Sequence, residues 1–568
     1  MKFFDETLIK ARPAVDGFRD SLIYTGTAFT VILFNLIAIF GLDILLHDDP
    51  ANYMSVLTGQ FPRYMLKYNL ILPFTEWIGW NIMAYSPNLA RGLYTVLLMV
   101  PLSFCFYYLC RHRLGFSRMT AYTAAVLPLI LPGQWQIPAG INMSYVLWGL
   151  LVSLVALIIG FQYLEKNDQK NWIRLMGAIL CYLAATQIME QALFLFPPFV
   201  LAFWGYKKFV KKNVFLLTGF TIIAVIRLIQ TIVLPRDAAM PQALPFDEIV
   251  KRVSLYFQWS LPFPNINPVC LVIIFMGIIS AGFILYLKRP GAEPKTNRIF
   301  LYFFLIVWAI STIFVFIFMS RDYSPRYTFI SSFGLNALFV FSLYVILRDL
   351  SRGKFKWYLP VFAALIVFSG GLRYFTLKEN YTRLNKPFSI VQRDLNKMRL
   401  PLNSQIVIIG IKGISGCWQK SSGYLQFALK REDVTGLVIS SGKSTGGGYY
   451  NFDNHFDPQQ RGWGPRYRMT GLSTDQPVFL FRMDKKNAEL KQLEYALQWK
   501  GEKKDAPWTI LRVDKVFGQI SSFFSGVGMD EYESAILELR KRGIAQTDIL
   551  WGGPPTNEEQ KRLGRKTQ

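Results

Sequence analysis

The chain has 568 residues, of which 52% are hydrophobic and 16% aromatic, and its mean hydropathy is positive. This composition, divided into long apolar runs, excludes an ordinary soluble protein and indicates a polytopic membrane protein. The formal net charge of +25 does not indicate a nucleic-acid partner, because much of the Lys and Arg lies in short clusters between the apolar runs, where it sets orientation in a bilayer.

The apolar runs predict ten to eleven membrane spans, since about 20 residues of helix cross the hydrocarbon core. The runs lie near residues 21–46, 89–110, 119–139, 143–164, 172–188, 191–206, 214–235, 267–287, 299–319, 328–347 and 357–377. The weaker stretch 70–86 contains Pro73 and Glu76 and is predicted to be interfacial or re-entrant. Residues 1–20 are polar, so we expect a cytoplasmic N-terminus and a first span that acts as a signal anchor rather than a cleaved signal peptide.

Basic residues are distributed unequally between the two alternating sets of loops. One set includes the N-terminus and the clusters near residues 111–118, 166–174, 207–212, 288–298 and 348–356. The basic residues of the other set, near the membrane, are Arg63, Lys67, Arg236, Lys251, Arg252, Arg321 and Arg326. By the positive-inside rule the richer set is cytoplasmic. The sequence therefore predicts a multi-pass protein of the plasma (inner) membrane, with the poorer set of loops outside.

The composition changes after the last span, which divides the chain into a transmembrane domain (21–377) and a polar domain (378–556). The same alternation places the polar domain on the periplasmic or extracellular side. Runs at 405–410, 478–481 and 509–513 are typical of buried strands, whereas 488–499 and 531–542 are typical of helices. We therefore predict a small α/β domain. Residues 557–568 are charged, have no apolar face and are predicted to be disordered.

A histidine and two adjacent carboxylates, His47, Asp48 and Asp49, follow the first span and precede Pro50. One interpretation is structural, because acidic residues followed by proline commonly begin a helix. The other is chemical, because a carboxylate can deprotonate an acceptor hydroxyl or coordinate a divalent metal. The two interpretations are compatible, since a capping residue fixes the position of its neighbour.

The outer loop 320–327 is a second candidate, because Arg321 and Arg326 could hold a phosphate beside Tyr327. A guanidinium group donates two parallel hydrogen bonds to a phosphate and keeps its charge. The same composition also suits an ordinary interfacial anchor. The remaining candidates for binding phosphate or substrate are His47, Arg63, Glu190 and Arg236.

Three other features have two interpretations each. Glu190, a lone acid between two apolar runs, is a functional candidate by default, but a turn also accommodates it. Arg227 is the deepest charge and must face a cavity or a partner carboxylate. The segment 134–138 (QWQIP) has amides and an aromatic ring that could bind a sugar, although an interfacial tryptophan is the commoner explanation.

The arrangement as a whole resembles the integral-membrane C-type glycosyltransferase superfamily, which has the GT-C fold. The features that carry the resemblance are the first span, the acidic pair at residues 47–50 (His-Asp-Asp-Pro), the interfacial segment after it, about ten further spans and the outer C-terminal domain. Members include protein mannosyltransferases, aminoarabinose transferases that modify lipid A, and oligosaccharyltransferases. The resemblance implies transfer of a sugar from a polyprenyl-phosphate donor to a hydroxyl of a lipid, glycan or protein acceptor.

Carried over by position, the resemblance makes Asp48 or Asp49 the general base and Arg321 or Arg326 the phosphate clamp. The reaction would be an in-line displacement at the anomeric carbon, with inversion of configuration. The first-loop acid of such enzymes can also be a metal ligand, which implies Mg²⁺ or Mn²⁺ bound by Asp48 and Asp49. This chain has no second acidic pair of the kind that metal-dependent members use.

Two functions of other classes also fit a chain with this many spans. A transporter or flippase of lipid-linked sugars would place charges along a pathway through both halves of the membrane, whereas Arg227 is the only clear deep charge of the sequence. A non-catalytic scaffold whose outer domain binds the cell wall or a partner protein would retain its activity without Asp48 and Asp49.

Overall fold

The computed structural model describes residues 13–40, 45, 49–59, 61–62, 66, 69–165, 171–204, 211–233, 244–264, 266–288, 295–318, 325–351, 356–409, 411, 418–439, 478–484, 487–492, 495–499, 508–512 and 549–550. The chain forms two compact units. The first comprises Met1–Leu42 and Pro62–Asn380, and the second comprises Asp43–Phe61 and Tyr381–Gln568. The segment after the first helix, which the sequence analysis included in the transmembrane domain 21–377, therefore belongs to the second unit.

Helices make up most of the described residues. In chain order they are α1 (Pro13–Phe40), α2 (Asp49–Leu57), α3 (Leu72–Tyr85), α4 (Pro87–Tyr94), α5 (Val100–Tyr108), α6 (Arg118–Val126), α7 (Gln136–Ala139), α8 (Ser144–Glu165), α9 (Asn171–Ile188), α10 (Phe196–Trp204), α11 (Lys211–Val233), α12 (Phe246–Ser260), α13 (Pro268–Lys288), α14 (Lys295–Phe318), α15 (Phe329–Leu350), α16 (Tyr358–Lys397) and α17 (Trp418–Leu429).

Six helices among the described residues are long and apolar enough to cross a membrane. They are Pro87–Arg113, in which π-helical turns continue α4 and α5, Ser144–Glu165, Lys212–Gln230, Pro268–Lys288, Pro325–Leu350 and Tyr358–Lys397. Shorter apolar helices are Asp20–Leu36, Glu190–Trp204 and Arg298–Ile313. The predicted fold class, an α-helical polytopic membrane protein, is confirmed. The 14-residue helix α3 is shorter than the length that a span needs.

The prediction of a continuous span at 119–139 is wrong. Helix α6 ends at Val126, and the chain continues through 3₁₀ turns at Leu127–Leu129 and Pro132–Gln134. Pro128 and Pro132 break the helix, because proline lacks the N–H that an α-helical hydrogen bond requires. Most side chains of this segment are buried, which is how irregular backbone is accommodated at membrane depth. We call residues 127–143 the buried loop.

Close helix packing forms the core of the first unit. Trp308 of α14 makes edge-to-face contacts with Phe106 of α5 and with Phe304. Gly334 of α15 lies against the same helix, since a Cβ atom added there would lie 2.8 Å from the backbone nitrogen of Ala309. Small residues permit such close approach of helices in membranes.

The second unit contains the strands β1 (Gln405–Ile409), β2 (Thr435–Ile439), β3 (Val478–Asp484), β4 (Glu489–Gln492), β5 (Tyr495–Trp499), β6 (Trp508–Arg512) and β7 (Ile549–Leu550). One sheet has the order β2-β1-β3-β4, with β1 parallel to β2 and to β3, and β3 antiparallel to β4. The other has the order β6-β5-β7. Together with α17, which connects β1 and β2, this arrangement is the α/β type that the sequence predicts.

The predicted helix at 488–499 is wrong, because this stretch forms β4 and β5. Its Ala, Glu, Leu and Gln residues favour a helix in isolation. Pairing with neighbouring strands overrides that preference, since Leu490 lies opposite Met483 of β3 and both side chains are buried. The predicted strands at 405–410, 478–481 and 509–513 correspond to β1, β3 and β6, and the predicted helix 531–542 lies outside the described residues.

The ion pair between Arg431 and Asp433 links the connection after α17 to the segment before β1. Arg431 donates from Nε and Nη2 to the two carboxylate oxygens of Asp433, at 3.0 and 2.5 Å, and also binds the carbonyl oxygens of Leu400 and Pro401. The backbone N–H of Asn403 donates to the same carboxylate at 2.7 Å. These hydrogen bonds, of which that from Arg431 has the largest effect, lower the pKa of Asp433 from 3.8 to about 2.

The second unit is expected to lose stability as the pH falls from about 4 to about 2. Because the pKa of Asp433 is lower in the folded than in the unfolded chain, its ionised form stabilises the fold above pH 3.8, and protonation removes that contribution. Acid unfolding followed by near-ultraviolet circular dichroism should show a smaller dependence in Asp433→Asn. Asp349→Asn, at an exposed position at the end of α15, should behave as wild type. An identical acid transition in Asp433→Asn and wild type would contradict the prediction.

Candidate functional site

The buried loop is bound by side chains from several helices of the first unit. From α16, the Arg373 guanidinium donates from Nη1 to the carbonyl oxygen of Leu131 at 2.7 Å, and Ser369 donates to that of Ile130 at 3.2 Å. Arg373 also donates from Nη2 to Oδ1 of Asn35 on α1, at 3.2 Å. Arg373 therefore joins the first and last helices of this unit to the irregular segment between α6 and α8.

The Arg373 side chain is fully buried, and its Nε has no hydrogen-bond partner among the residues that the structure describes. Its hydrogen-bond partners are a backbone carbonyl and a side-chain amide, and no described carboxylate lies within 4.0 Å of it. A buried charge is costly unless an opposite charge and hydrogen bonds compensate for it. The group thus offers both a positive charge and an unused donor to an anion.

Two further buried charges lie beside the other end of the buried loop. Glu76 of α3 accepts hydrogen bonds from Nε1 of Trp80, at 2.9 Å, and from Oγ of Ser144, at 3.3 Å. Arg91 of α4 donates from Nε to the carbonyl oxygen of Ala139 at 2.7 Å. Both charged side chains are buried. The buried loop therefore receives two guanidinium groups, and a carboxylate lies beside its end at Ser144.

Arg227 of α11 has amide neighbours. It donates from Nη2 to Oδ1 of Asn69 at 2.7 Å and from Nη1 to Oε1 of Gln230 at 2.5 Å. The next residue after Asn69, Leu70, donates its N–H to Gln187 at the end of α9, at 3.0 Å. Arg227 therefore helps to hold the segment before α3 against α9 and α11. Helix α3 carries Glu76.

The amide of Gln134 is used inside the protein. It donates from Nε2 to Oγ1 of Thr328 at 2.6 Å and to the carbonyl oxygen of Trp259 at 3.2 Å, and the side chain is almost fully buried. Asn336 of α15 binds the next carbonyl, that of Ser260, at 2.8 Å. Gln134 thus contributes to the end of α12 and not to an exposed sugar-binding loop, whereas Trp135 and Gln136 are partly exposed.

Only part of the predicted site lies within the described residues. His47, Asp48, Arg63, Arg236 and Arg321 lie outside them. Arg326 and Tyr327 are partly exposed in the 3₁₀ turn Pro325–Thr328, where the guanidinium carbon lies 4.9 Å from the tyrosine ring centroid and Nη2 lies 3.0 Å from its hydroxyl oxygen. Glu190 is partly exposed at the start of the 3₁₀ turn Glu190–Leu195.

Asp49 is the first residue of α2, and its side chain is fully buried in the second unit. Asn52 and Tyr53, on the same helix, are buried as well. The acidic pair is therefore followed at once by a packed helix, as the structural interpretation predicted, and Asp49 is not a freely solvated carboxylate. Among the residues that the structure describes, no three His, Cys, Asp or Glu side chains are grouped to hold a metal ion.

Arg91 and Arg373 are not among the site residues predicted from the sequence. Each is the only charged residue of its predicted span, 89–110 and 357–377 respectively, and a charged residue inside a span is a functional candidate by default. That signal was available for both residues. Which of them would have a carboxylate partner could not be inferred, because the partners come from helices distant in sequence.

Solved structures similar to this chain include two states of one bacterial protein and one archaeal protein. The archaeal oligosaccharyltransferase AglB from Archaeoglobus fulgidus, in complex with an inhibitory peptide and a dolichol-phosphate, has a TM-score of 0.41 and 10% identity, over 74% of this chain and 64% of that one. ArnT from Cupriavidus metallidurans has a TM-score of 0.45 and 12% identity in the apo state, over 84% of this chain and 94% of that one. ArnT bound to undecaprenyl phosphate has a TM-score of 0.40 and 11% identity, over 76% and 87%.

This chain thus spans just under two thirds of the length of the archaeal protein. No family model and no curated protein sequence matches the chain.

Proposed function

We propose that this protein is a membrane glycosyltransferase that moves a sugar from a polyprenyl-phosphate donor to an acceptor hydroxyl. The observation that carries the proposal is the fully buried guanidinium of Arg373, which no described carboxylate neutralises. A phosphate would supply the missing negative charge and accept from Nε. The polyprenyl chain of such a donor would remain in hydrocarbon, which explains why a site for an anion lies within an apolar helical unit.

The low-dielectric surroundings make this arrangement effective. An attraction between unit charges that is weak in water becomes several times stronger near or inside a protein, and guanidinium–phosphate hydrogen bonds are among the strongest in proteins. Arg91 of α4 binds the same buried loop through the carbonyl oxygen of Ala139 and adds a second positive charge. We assign the clamp on the donor phosphate to Arg373 together with the predicted outer-loop residues Arg321 and Arg326.

The reaction proposed is a single in-line displacement. An aspartate, Asp48 or Asp49, removes the proton of the acceptor hydroxyl, whose oxygen attacks the anomeric carbon of the sugar. The bond between that carbon and the phosphate oxygen breaks, and its electron pair leaves with the polyprenyl phosphate. Arginines stabilise the charge that grows on the leaving group. Attack opposite to the leaving group inverts the configuration at the anomeric carbon.

The other predicted site residues are assigned to the bound substrates. His47, Arg63, Glu190, Arg236 and Tyr327 are proposed to bind the donor head group or the acceptor. As an alternative to the role of general base, Asp48 and Asp49 would instead bind Mg²⁺ or Mn²⁺, which would neutralise part of the phosphate charge. Loss of transfer on chelation, with recovery on adding either cation, would support this ligand assignment.

The proposal places the reaction at the extracytoplasmic face of the plasma (inner) membrane. Its support is the charge difference between the two sets of loops, together with the acceptors that the resemblance implies: a lipid, a glycan or a protein of the cell envelope. A reporter protein fused after Gln568 tests the sidedness. An extracytoplasmic signal is expected, and a cytoplasmic signal would overturn the topology.

Purified protein in proteoliposomes tests the function. We expect it to bind undecaprenyl phosphate and to transfer the sugar from one of a panel of polyprenyl-phosphate hexoses and pentoses to an envelope acceptor extract. Release of the polyprenyl phosphate shows that the bond to the sugar has broken. Movement of the intact donor across the bilayer without release would indicate a flippase instead. Absence of binding, transfer and movement would favour the scaffold.

A further inference from the structure

The acidic pair lies next to a helix that packs within the second unit. Helix α2 begins at Asp49, immediately after Asp48, and belongs to the same compact unit as α17 and the C-terminal strands. Its contacts within that unit therefore determine where the start of the helix, and with it Asp49, is held.

The closest of these contacts is between α2 and the backbone of α17. A Cβ atom added at Gly423 would overlap the carbonyl oxygen of Pro50 and lie 2.6 Å from its carbonyl carbon. Backbone cannot give way as a flexible side chain can, so any residue larger than glycine at 423 must push the start of α2 away. Pro50 directly follows Asp49, which makes the acid the neighbour of the contact point.

Aromatic rings fix the next turn of the helix. The Tyr53 ring lies edge-to-face on Phe427 of α17, with 5.3 Å between centroids. Phe427 in turn contacts Phe388 of α16, at 5.8 Å, and Phe388 contacts Tyr424, at 5.2 Å. All four rings are buried. Three helices thus share one aromatic cluster, in which α2 contributes Tyr53.

Helix α17 is itself fastened to the edge of the sheet. The hydroxyl of Ser421 accepts from the N–H of Val438 at 2.9 Å, and that of Ser422 accepts from the N–H of Gly436 at 3.1 Å. These N–H groups belong to β2, an edge strand of the sheet. The serines accept from backbone N–H groups that an edge strand leaves unpaired, and they fix the position of α17 along the strand.

We propose that the C-terminal part of the second unit is the scaffold that positions Asp49 of the acidic pair, with Gly423 and Tyr53 as positioning residues. The chain of contacts runs from β2 through α17 to α2 and ends at Asp49. This inference rests on the proposed function. It assigns to the C-terminal domain a role in the rate of the chemical step, because a displacement of about 1 Å at a reacting group can cost about 10²-fold in rate.

The test compares Gly423→Ala with Gly277→Ala. Gly277 is an exposed glycine of α13, and a Cβ atom added there meets nothing within 4 Å. For Gly423→Ala we expect kcat for sugar transfer to fall about 10²-fold. KM for the donor should change much less, because the arginines assigned to the donor phosphate lie outside α2 and α17. Hydrogen exchange of residues 49–57 should become faster in this variant alone. Gly277→Ala should match wild type in all three measurements.

A second pair of variants keeps the inference testable if Gly423→Ala does not fold. Tyr53→Phe retains the ring and should keep wild-type kcat and exchange, whereas Tyr53→Ala should lower kcat and speed up exchange of residues 49–57. Wild-type kcat in both Gly423→Ala and Tyr53→Ala would overturn the inference while leaving the proposed function intact. Absence of transfer by the wild-type protein from every donor would instead overturn the proposed function.

Discussion

Replacing the two aspartates one at a time with asparagine is expected to lower the rate of sugar transfer by about 10²- to 10⁴-fold in one of the two variants. Asparagine has nearly the same size and still accepts hydrogen bonds through its side-chain oxygen, but it cannot take a proton from the acceptor hydroxyl. The affected residue is the general base. The other variant, which alters the start of α2, should keep most of its turnover and lose about 1 kcal/mol of stability at most.

The measurement is single-turnover transfer from the polyprenyl-phosphate donor in Asp48→Asn, Asp49→Asn and wild type, with thermal unfolding of each protein alongside. Glu248→Gln is the matched control, because it also neutralises a carboxylate that is predicted to lie outside, and the ion pairs that it removes among the described residues are those with Lys251 and Arg252 on α12. Pairs of this partly exposed kind contribute little, so the control should transfer sugar at the wild-type rate. Full turnover in both aspartate variants would exclude the general-base mechanism and favour the scaffold.

The parts of the fold that the sequence predicted are those governed by local pattern. Long apolar runs predicted the spans, and short runs of β-branched, aromatic and other apolar residues predicted β1, β3 and β6. Prediction was wrong where partners distant in sequence decide the outcome. The stretch 488–499 has the composition of a helix, yet pairing with β3 and β6 makes it two strands. In the buried loop, the prolines were visible in the sequence but were outweighed by the apolar character of the segment.

The candidate site divides in the same way. The acidic pair was found because two adjacent carboxylates beside a span are unusual whatever their surroundings. That the helix after it packs with α17 could not be inferred, because a separation of several hundred residues leaves no local trace of the contact between Pro50 and Gly423. Arg373 carried a signal, as the single charge of its span. Its lack of a carboxylate partner depends on how α1, α16 and the buried loop pack.

Replacing Arg373 with methionine is expected to weaken binding of undecaprenyl phosphate by about 10- to 100-fold without lowering stability. A hydrogen bond to a charged group contributes about 1.5–3 kcal/mol, and the variant loses the positive charge as well as its donors. The fold, however, is relieved of a buried charge that no described carboxylate compensates. Methionine has a similar length and needs no partner. Relief of the buried charge offsets the hydrogen bonds lost at Leu131 and Asn35, so the free energy of unfolding should stay the same or rise. A residue with a purely structural role would show the opposite pattern.

The control is Arg113→Met, which also removes a buried guanidinium from the first unit. Arg113 is paired with Glu165, to which Nη2 donates at 3.0 Å, so its loss leaves a carboxylate without its partner. That variant should be less stable and should bind undecaprenyl phosphate as wild type does. Opposite effects of the two substitutions on stability and on binding would distinguish the two arginines. Arg113 would stabilise the fold, whereas Arg373 would bind an anion. If Arg373→Met had a lower free energy of unfolding than wild type and bound undecaprenyl phosphate equally well, the proposed function would lose the observation that carries it.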